Sequence, residues 1–286
     1  MTIRIIPRLD IKGPNLVKGI HLEGLRVLGK PEMFAKYYYL EGADELIYMD
    51  VVASLYQRNS ILPLISRTAR EIFIPLTVGG GLRNLTDIQM ALRSGADKVS
   101  LNTAAIYDPH LITAASERFG SSTVTISIEA KKTDAGSYEA YTDNGRERTG
   151  VDAIEWADTA ARLGAGELII TSIDREGTGR GYDLDLLKQV SGLVNIPVIA
   201  CGGAGNIRHV IDVIIEGTAD AVAISSVLHY SAIENQLFDN DMYEEGNTEY
   251  LQSERKFSKV KLLSMKSIKD NLSHNGITVR PINNFG

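Results

Sequence analysis

The chain has 286 residues, 44% of them hydrophobic and 23% charged, with a formal net charge of -6 and a single cysteine. That apolar fraction supplies a sizeable core and excludes a disordered or collagen-like chain, and the acidic balance argues against a nucleic-acid-binding domain, which carries a concentrated basic face. Cys201 stands alone, so there is no intramolecular disulfide and no multi-cysteine metal site. Arg4, Arg8 and Asp10 fall where a signal peptide needs an unbroken apolar stretch. The uncharged stretch 190–207 contains Asn195, Pro197 and four glycines, against a membrane helix. A cytoplasmic location is expected.

Short β-branched runs recur along the chain at 3–9, 45–51, 76–78, 98–101, 123–128, 167–172, 198–200 and 221–225, and each reads as a buried strand. Longer helical patterns lie between them. Over 60–72, Ile61, Leu64, Ile65, Ala69 and Ile72 share one helical face, with a Ser at the N-cap position. Regular strand–helix alternation favours a parallel sheet wrapped by helices. Two stretches break the pattern. Residues 131–148 are polar and carry Asp143-Asn-Gly145, which predicts a hairpin or flap after the fifth strand. Residues 239–254 hold six acidic side chains and no basic one, and read as part of a solvated surface insertion around 235–258, ahead of a lysine-rich helical pattern from Arg255 onward.

Internal repetition is the strongest architectural signal. Ile74-Pro-Leu-Thr-Val-Gly-Gly-Gly-Leu-Arg-Asn84 matches Ile196-Pro-Val-Ile-Ala-Cys-Gly-Gly-Ala-Gly-Asn206, and Gly42-Ala-Asp-Glu-Leu-Ile matches Gly164-Ala-Gly-Glu-Leu-Ile. After one inserted residue, Asp97 and Val99 pair with Asp220 and Val222. Two half-chains of four βα units each account for this, and eight such units close into a single α/β domain, a (β/α)8 TIM barrel of two duplicated half-barrels. An open doubly wound sheet is the rival and does not itself predict the duplication.

In such a barrel the chemistry sits at the carboxyl ends of the strands. Asp10 ends the first strand and Glu129 the fifth, positions related by the duplication, so the two carboxyl groups are expected to face each other as an acid–base pair. Capping of the following loops is the bland reading. The turns at Gly79-Gly80-Gly81 and Gly202-Gly203 each lie between a strand and a helix, where bare backbone lets amide groups approach a phosphate. Asn102 and Thr103 in one half, and Ser225 and Ser226 in the other, add donors. Single glycine turns are weak evidence, but two related copies point to a substrate with a phosphate at each end. The segment Thr171-Ser-Ile-Asp174-Arg-Glu-Gly177 opens a polar loop suited to substrate closure. The five histidines have no metal-ligand spacing, so no metal site and no cofactor is expected; His209 and His229 read as surface or capping residues. Trp156 and Tyr37-Tyr38-Tyr39 read as helix packing.

These residues resemble the HisF family, the cyclase subunits of imidazole glycerol phosphate synthase. The similarity covers about 2–230 and resumes over 268–281. It is carried by Arg4-Ile-Ile-Pro, Leu9-Asp10, Val17-Lys-Gly19, Asp44-Glu-Leu46, Thr77-Val-Gly-Gly-Gly81, Gly95-Ala-Asp-Lys-Val-Ser100 with Asn102-Thr103, Thr171-Ser-Ile-Asp-Arg175 with Gly177-Thr178, and Gly202-Gly-Ala-Gly205. The sister isomerase of the pathway is less well matched over the loop from Thr171. The resemblance implies a synthase half that receives ammonia from a HisH-like glutaminase through the barrel, past a gate formed by Arg4, Glu45, Lys98 and Glu167. It implies conversion of the phosphoribulosyl-formimino carboxamide ribotide, a bisphosphorylated substrate, into imidazole glycerol phosphate and the aminoimidazole carboxamide ribotide. Asp10 then maps onto a catalytic aspartate and Lys18 onto a lysine of the mobile first loop.

Three features depart from the family pattern: Glu129 replaces the second catalytic aspartate, Arg8 stands where a small residue is common, and the acidic insertion follows Asp239. HisF relatives outside histidine synthesis supply ammonia for acetamidino sugars of surface polysaccharide, which is one alternative. A non-catalytic conduit that activates its glutaminase is another.

Overall fold

The structure is a computed structural model that describes residues 2–53, 61–234 and 260–282. Eight parallel strands form a closed ring: β1 (Arg4–Lys12), β4 (Leu46–Asp50), β5 (Leu76–Gly79), β6 (Lys98–Leu101), β7 (Val124–Lys132), β10 (Glu167–Ser172), β11 (Val198–Cys201) and β12 (Ala221–Ile224). Pairing of β10 with β7, and of β1 with β12, closes it. The barrel expected from the repeats is therefore the fold. The hairpin of β8 (Tyr138–Thr142) and β9 (Glu147–Asp152) extends β7. It turns through Asp143, Asn144 and Gly145, all with positive φ, as the Asp-Asn-Gly signal predicts.

A second hairpin, β2 (Asn15–Ile20) with β3 (Glu23–Gly29), extends β1 in the same way. No local signal predicts it. Its tip is His21-Leu22, two residues in the left-handed region without the Gly, Asn or Asp that marks such a turn. Buried Leu22 and its neighbours hold the tip in place by tertiary contact.

Alternation along the strands separates two apolar layers. On β1, Ile5, Leu9 and Ile11 pack outward with the helices into the large cluster, whereas Ile6 points into the lumen with Ile47, Ile169, Ile199 and Ala221. Helices α1 (Pro31–Leu40), α2 (Leu62–Thr68), α3 (Leu85–Arg93), α4 (Thr103–Tyr107), α5 (His110–Phe119), α6 (Ala153–Arg162), α7 (Leu184–Leu193), α8 (Ile207–Ile215) and α9 (Ser226–Glu234) clothe the ring. Helix α2 ends earlier than its apolar period suggested, and the expected Ser cap lies outside the described residues. Trp156 and Tyr38 are buried in helix packing, as expected. The acidic stretch 239–254 also lies outside the described residues.

The duplication is visible as shared hydrogen bonding. Asn84 caps α3 by accepting from Thr86 N and Asp87 N, each at 3.0 Å, and Asn206 caps α8 by accepting from Arg208 N at 2.9 Å and His209 N at 3.2 Å. Asp97 accepts from Leu76 N, and Asp220 from Val198 N, both at 2.9 Å. Helix α10 (Met265–His274) returns to the amino-terminal face, where Lys269 Nζ lies 2.7 Å from both Gly42 O and Asp44 Oδ1.

His229 corrects the sequence reading. It is fully buried behind β1, neither at the surface nor at a cap. Its Nε2 lies 3.0 Å from Arg8 O and its Nδ1 2.7 Å from the Tyr38 hydroxyl. Because a carbonyl only accepts, Nε2 carries the proton and Nδ1 accepts from Tyr38. Burial pushes its pKa down to about 3, so the ring stays neutral. His209 does sit at a helix start, its Nδ1 accepting from Gly205 N at 3.2 Å.

Candidate active site

The inward residues of β1 are Arg4, Ile6, Arg8 and Asp10, so one strand samples the lumen from its amino-terminal floor to its mouth. At the floor, Arg4 Nη1 bonds Glu45 Oε2 at 2.8 Å and Arg4 Nη2 pairs with Glu167. Lys98 Nζ lies 3.0 Å from both Glu45 and Glu167, and Thr77 Oγ1 donates to Glu45 at 2.6 Å. The four residues expected to act together thus form one closed ring of alternating charge. Glu45 and Glu167 occupy equivalent positions in the two half-barrels, as the Gly-Ala-x-Glu-Leu-Ile repeat places them. Above the ring lies the apolar layer of Ile6, Ile47, Ile169 and Ile199.

Arg8 occupies the next level and is 1% exposed. Its Nε donates to Asp10 Oδ1 at 2.9 Å, and its Nη1 to Thr171 Oγ1 at 3.1 Å and Cys201 Sγ at 3.2 Å. Burial opposes its charge, but Asp10 and the other nearby acids outweigh it and raise the pKa further. Arg8 therefore ties β1 to β10 and β11 across the lumen.

Asp10 and Glu129 crown this level, both buried. Glu129 Oε2 accepts from Asn102 Nδ2 at 3.1 Å and from Gly145 N at 2.8 Å, so the β8–β9 hairpin reaches back onto it. Burial pushes its pKa up to about 7. Arg8 and the Gly145 amide oppose that rise, and Asp10 and Asp143 add to it. A carboxyl group poised there can donate and accept protons near neutral pH. Lys18 comes from the unforeseen first hairpin; it pairs with Glu176 and lies 3.9 Å from Asp10 Oδ2.

The two hairpins and the loop after β10 meet over the mouth. Asn144 Nδ2 donates to Leu22 O at 3.2 Å, His21 Nδ1 to Ile173 O at 2.8 Å, and His21 N to Glu176 O at 2.9 Å. Gly177 allows the β10 loop to rest against Gly19 and Ile20. Asp174 accepts from Lys132 N at 2.9 Å and so pins the second hairpin. Ser172 Oγ lies 3.5 Å from Asp183 Oδ2, whereas Thr171 faces Arg8.

The two glycine turns differ. Gly202, Gly203, Ser225 and Ser226 line a small open cleft bounded also by Glu176 and Gly177. Gly203, at φ 115°, lies so close to the Gly181 carbonyl that a Cβ would overlap it. In the other half Gly80, at φ 94°, packs as tightly against the Asp50 carbonyl, and Gly81 also has positive φ. Here the donors are already engaged: Asn102 Nδ2 also donates to Tyr141 O at 3.2 Å, and Thr103 Oγ1 donates to Asp143 Oδ1 at 3.5 Å while accepting from Asp143 N at 3.2 Å. Glu176 and Asp143 were missed as site residues because nothing in their local pattern sets them apart. The hairpin signal at Asp143 was the available clue.

The match to known proteins agrees with this geometry. Residues 4–234 match the family model described as histidine biosynthesis protein. The subunit HisF of imidazole glycerol phosphate synthase from Legionella pneumophila is 58% identical over 72% of this chain and 98% of its own length. Those from Alkaliphilus metalliredigens and Lactococcus lactis are 46% and 49% identical, over 82% and 80% of this chain and 92% and 89% of their own lengths. The chain is a member of the HisF family. In this HisF family member the charged ring and the carboxyl pair lie at opposite ends of one lumen, and no described helix is long and apolar enough to cross a membrane. Among the described residues there is no cluster of side chains suited to a metal ion.

Proposed function

We propose that this chain is the cyclase subunit of a glutamine amidotransferase of histidine biosynthesis, acting in the cytoplasm with a separate glutaminase on its amino-terminal face. The observation that carries the reading is the shared lumen, with Arg4, Glu45, Lys98 and Glu167 at its floor and Asp10 and Glu129 at its mouth, in a chain of this family. Ammonia enters past the ring, crosses the apolar layer and meets the phosphoribulosyl-formimino carboxamide ribotide held across the mouth. The phosphates lie on Gly202, Gly203, Ser225 and Ser226 at one end and on Gly80, Gly81, Asn102 and Thr103 at the other, the second requiring the β8–β9 tip to release Thr103. Lys18, Thr171, Ser172, Asp174 and Gly177 shape the closed mouth. Ammonia bonds to the ribulosyl carbonyl carbon and the carbonyl oxygen leaves as water, with Asp10 taking up protons and Glu129 in its neutral form supplying them. Ring closure then expels the aminoimidazole carboxamide ribotide and leaves imidazole glycerol phosphate.

The test is turnover of the purified chain with the formimino ribotide, first with ammonium salts and then with glutamine and the glutaminase. Both should give imidazole glycerol phosphate. No turnover with either source, while the chain still stimulates glutamine hydrolysis, would remove the cyclase reading in favour of ammonia supply to another acceptor.

A further inference from the structure

Arg8 has one group without a partner. Nε and Nη1 are engaged, but Nη2 is buried and makes no hydrogen bond. A buried donor left unpaired is costly, the more so on a charged group, so such a group calls for a ligand. In the planar guanidinium Nη2 shares an edge with Nε, so an oxygen bound to it lies beside the Asp10 carboxylate. The level matters as well. Arg8 stands two residues above Ile6 and two below Asp10 on the inward face of β1, so ammonia rising from the floor passes the guanidinium just before the carboxyl groups. The glycine turns that suit phosphates lie further out, after the ends of β5 and β11.

We propose that Arg8 is a catalytic residue of this chain, its free Nη2 holding the oxygen of the substrate carbonyl that ammonia attacks. The proposal rests on the cyclase reading. As the nitrogen lone pair forms the C–N bond, the carbonyl π pair moves onto oxygen, where a fixed positive donor stabilises the developing charge. One ammonia proton then passes by way of the carboxyl groups to that oxygen, giving a carbinolamine, and loss of water leaves the imine that closes the ring. Arg8 neither gains nor loses a proton.

The experiment compares wild type, Arg8→Met and Arg8→Lys with saturating ammonium salt and the formimino ribotide, and measures substrate Kd without ammonia. Arg8→Met should lower kcat about 100–1000-fold, the usual effect of removing one oxyanion donor, while Kd changes less than about tenfold. Arg8→Lys should fall between, since one ammonium cannot serve both Asp10 and the substrate oxygen with the geometry of a planar fork. The pH profile gives a second readout. The charged groups around Glu129 are Arg8 and Asp10 from β1 and Asp143 from the second hairpin, with Asn102 and the Gly145 amide as neutral donors. Loss of the Arg8 charge should also move the limb assigned to Glu129 to higher pH, because the guanidinium holds that pKa down; the split of kcat from Kd is what separates an oxyanion donor from a structural pair. Arg8→Met within threefold of the wild-type kcat overturns the proposal and leaves the cyclase reading standing. If Arg8→Met does not fold, wild-type kcat in Arg8→Lys overturns it instead. Inactive wild type overturns both.

Discussion

Glu129→Gln should separate stability from catalysis. The folded chain holds this carboxyl at a pKa of about 7, against an ordinary value of 4.5, with burial as the main cause. Because the folded-state pKa is raised, the folded state keeps a proton that the unfolded state releases above pH 4.5, and stability is lost as pH rises through 7. A displacement of this size corresponds to about 3 kcal/mol once both states are ionised at pH 9, and to less than about 1 kcal/mol at pH 5. Glutamine is isosteric, cannot ionise, and keeps an oxygen to accept from Asn102 and Gly145. In urea unfolding the variant should therefore match wild type closely at pH 5 and exceed it by about 3 kcal/mol at pH 9. Ammonia-dependent turnover should meanwhile fall by about 100-fold or more, since the amide cannot transfer a proton. A variant no more stable than wild type at pH 9, or one that keeps its turnover, would refute the reasoning.

His229 works in the opposite direction. Its pKa is depressed to about 3, so stability present above pH 6.5 is lost as pH falls below it, by roughly 2–3 kcal/mol at pH 4.5; His229→Gln should flatten that acid slope in thermal unfolding at a series of pH values. Gly203→Ala forces a Cβ against the Gly181 carbonyl at a strongly positive φ, and should cost about 1–3 kcal/mol and raise KM more than it lowers kcat, as read from unfolding and steady-state kinetics. Lys98→Met removes one of two cations from a ring whose Glu45 side chain is only 2% exposed. It should destabilise the chain by about 1–3 kcal/mol and lower the product formed per glutamine hydrolysed in the complex with the glutaminase.

The barrel and its duplication were legible in the sequence, because they rest on periodicity. Strand runs at regular intervals, glycine turns repeated in the two halves, and alternation along β1 place Arg4, Arg8 and Asp10 on one face without knowledge of any long-range contact. The charged ring was legible for a different reason: each member starts a strand, and family resemblance brought the four together. What the tertiary structure alone decided is how the mouth is closed. The first hairpin turns at His21-Leu22, where local preference is unfavourable and contacts with Asn144, Ile173 and Glu176 hold the turn. His229 gave no sign of burial because its partners, Tyr38 and the Arg8 carbonyl, come from α1 and β1. Glu129 owes its raised pKa to burial in the lumen, which the Gly145 amide of the hairpin tip partly offsets, and the nitrogen of Arg8 is left free because its neighbours are taken by Asp10, Thr171 and Cys201. Periodicity records which face a residue takes; desolvation and hydrogen-bond satisfaction depend on what arrives from elsewhere in the chain.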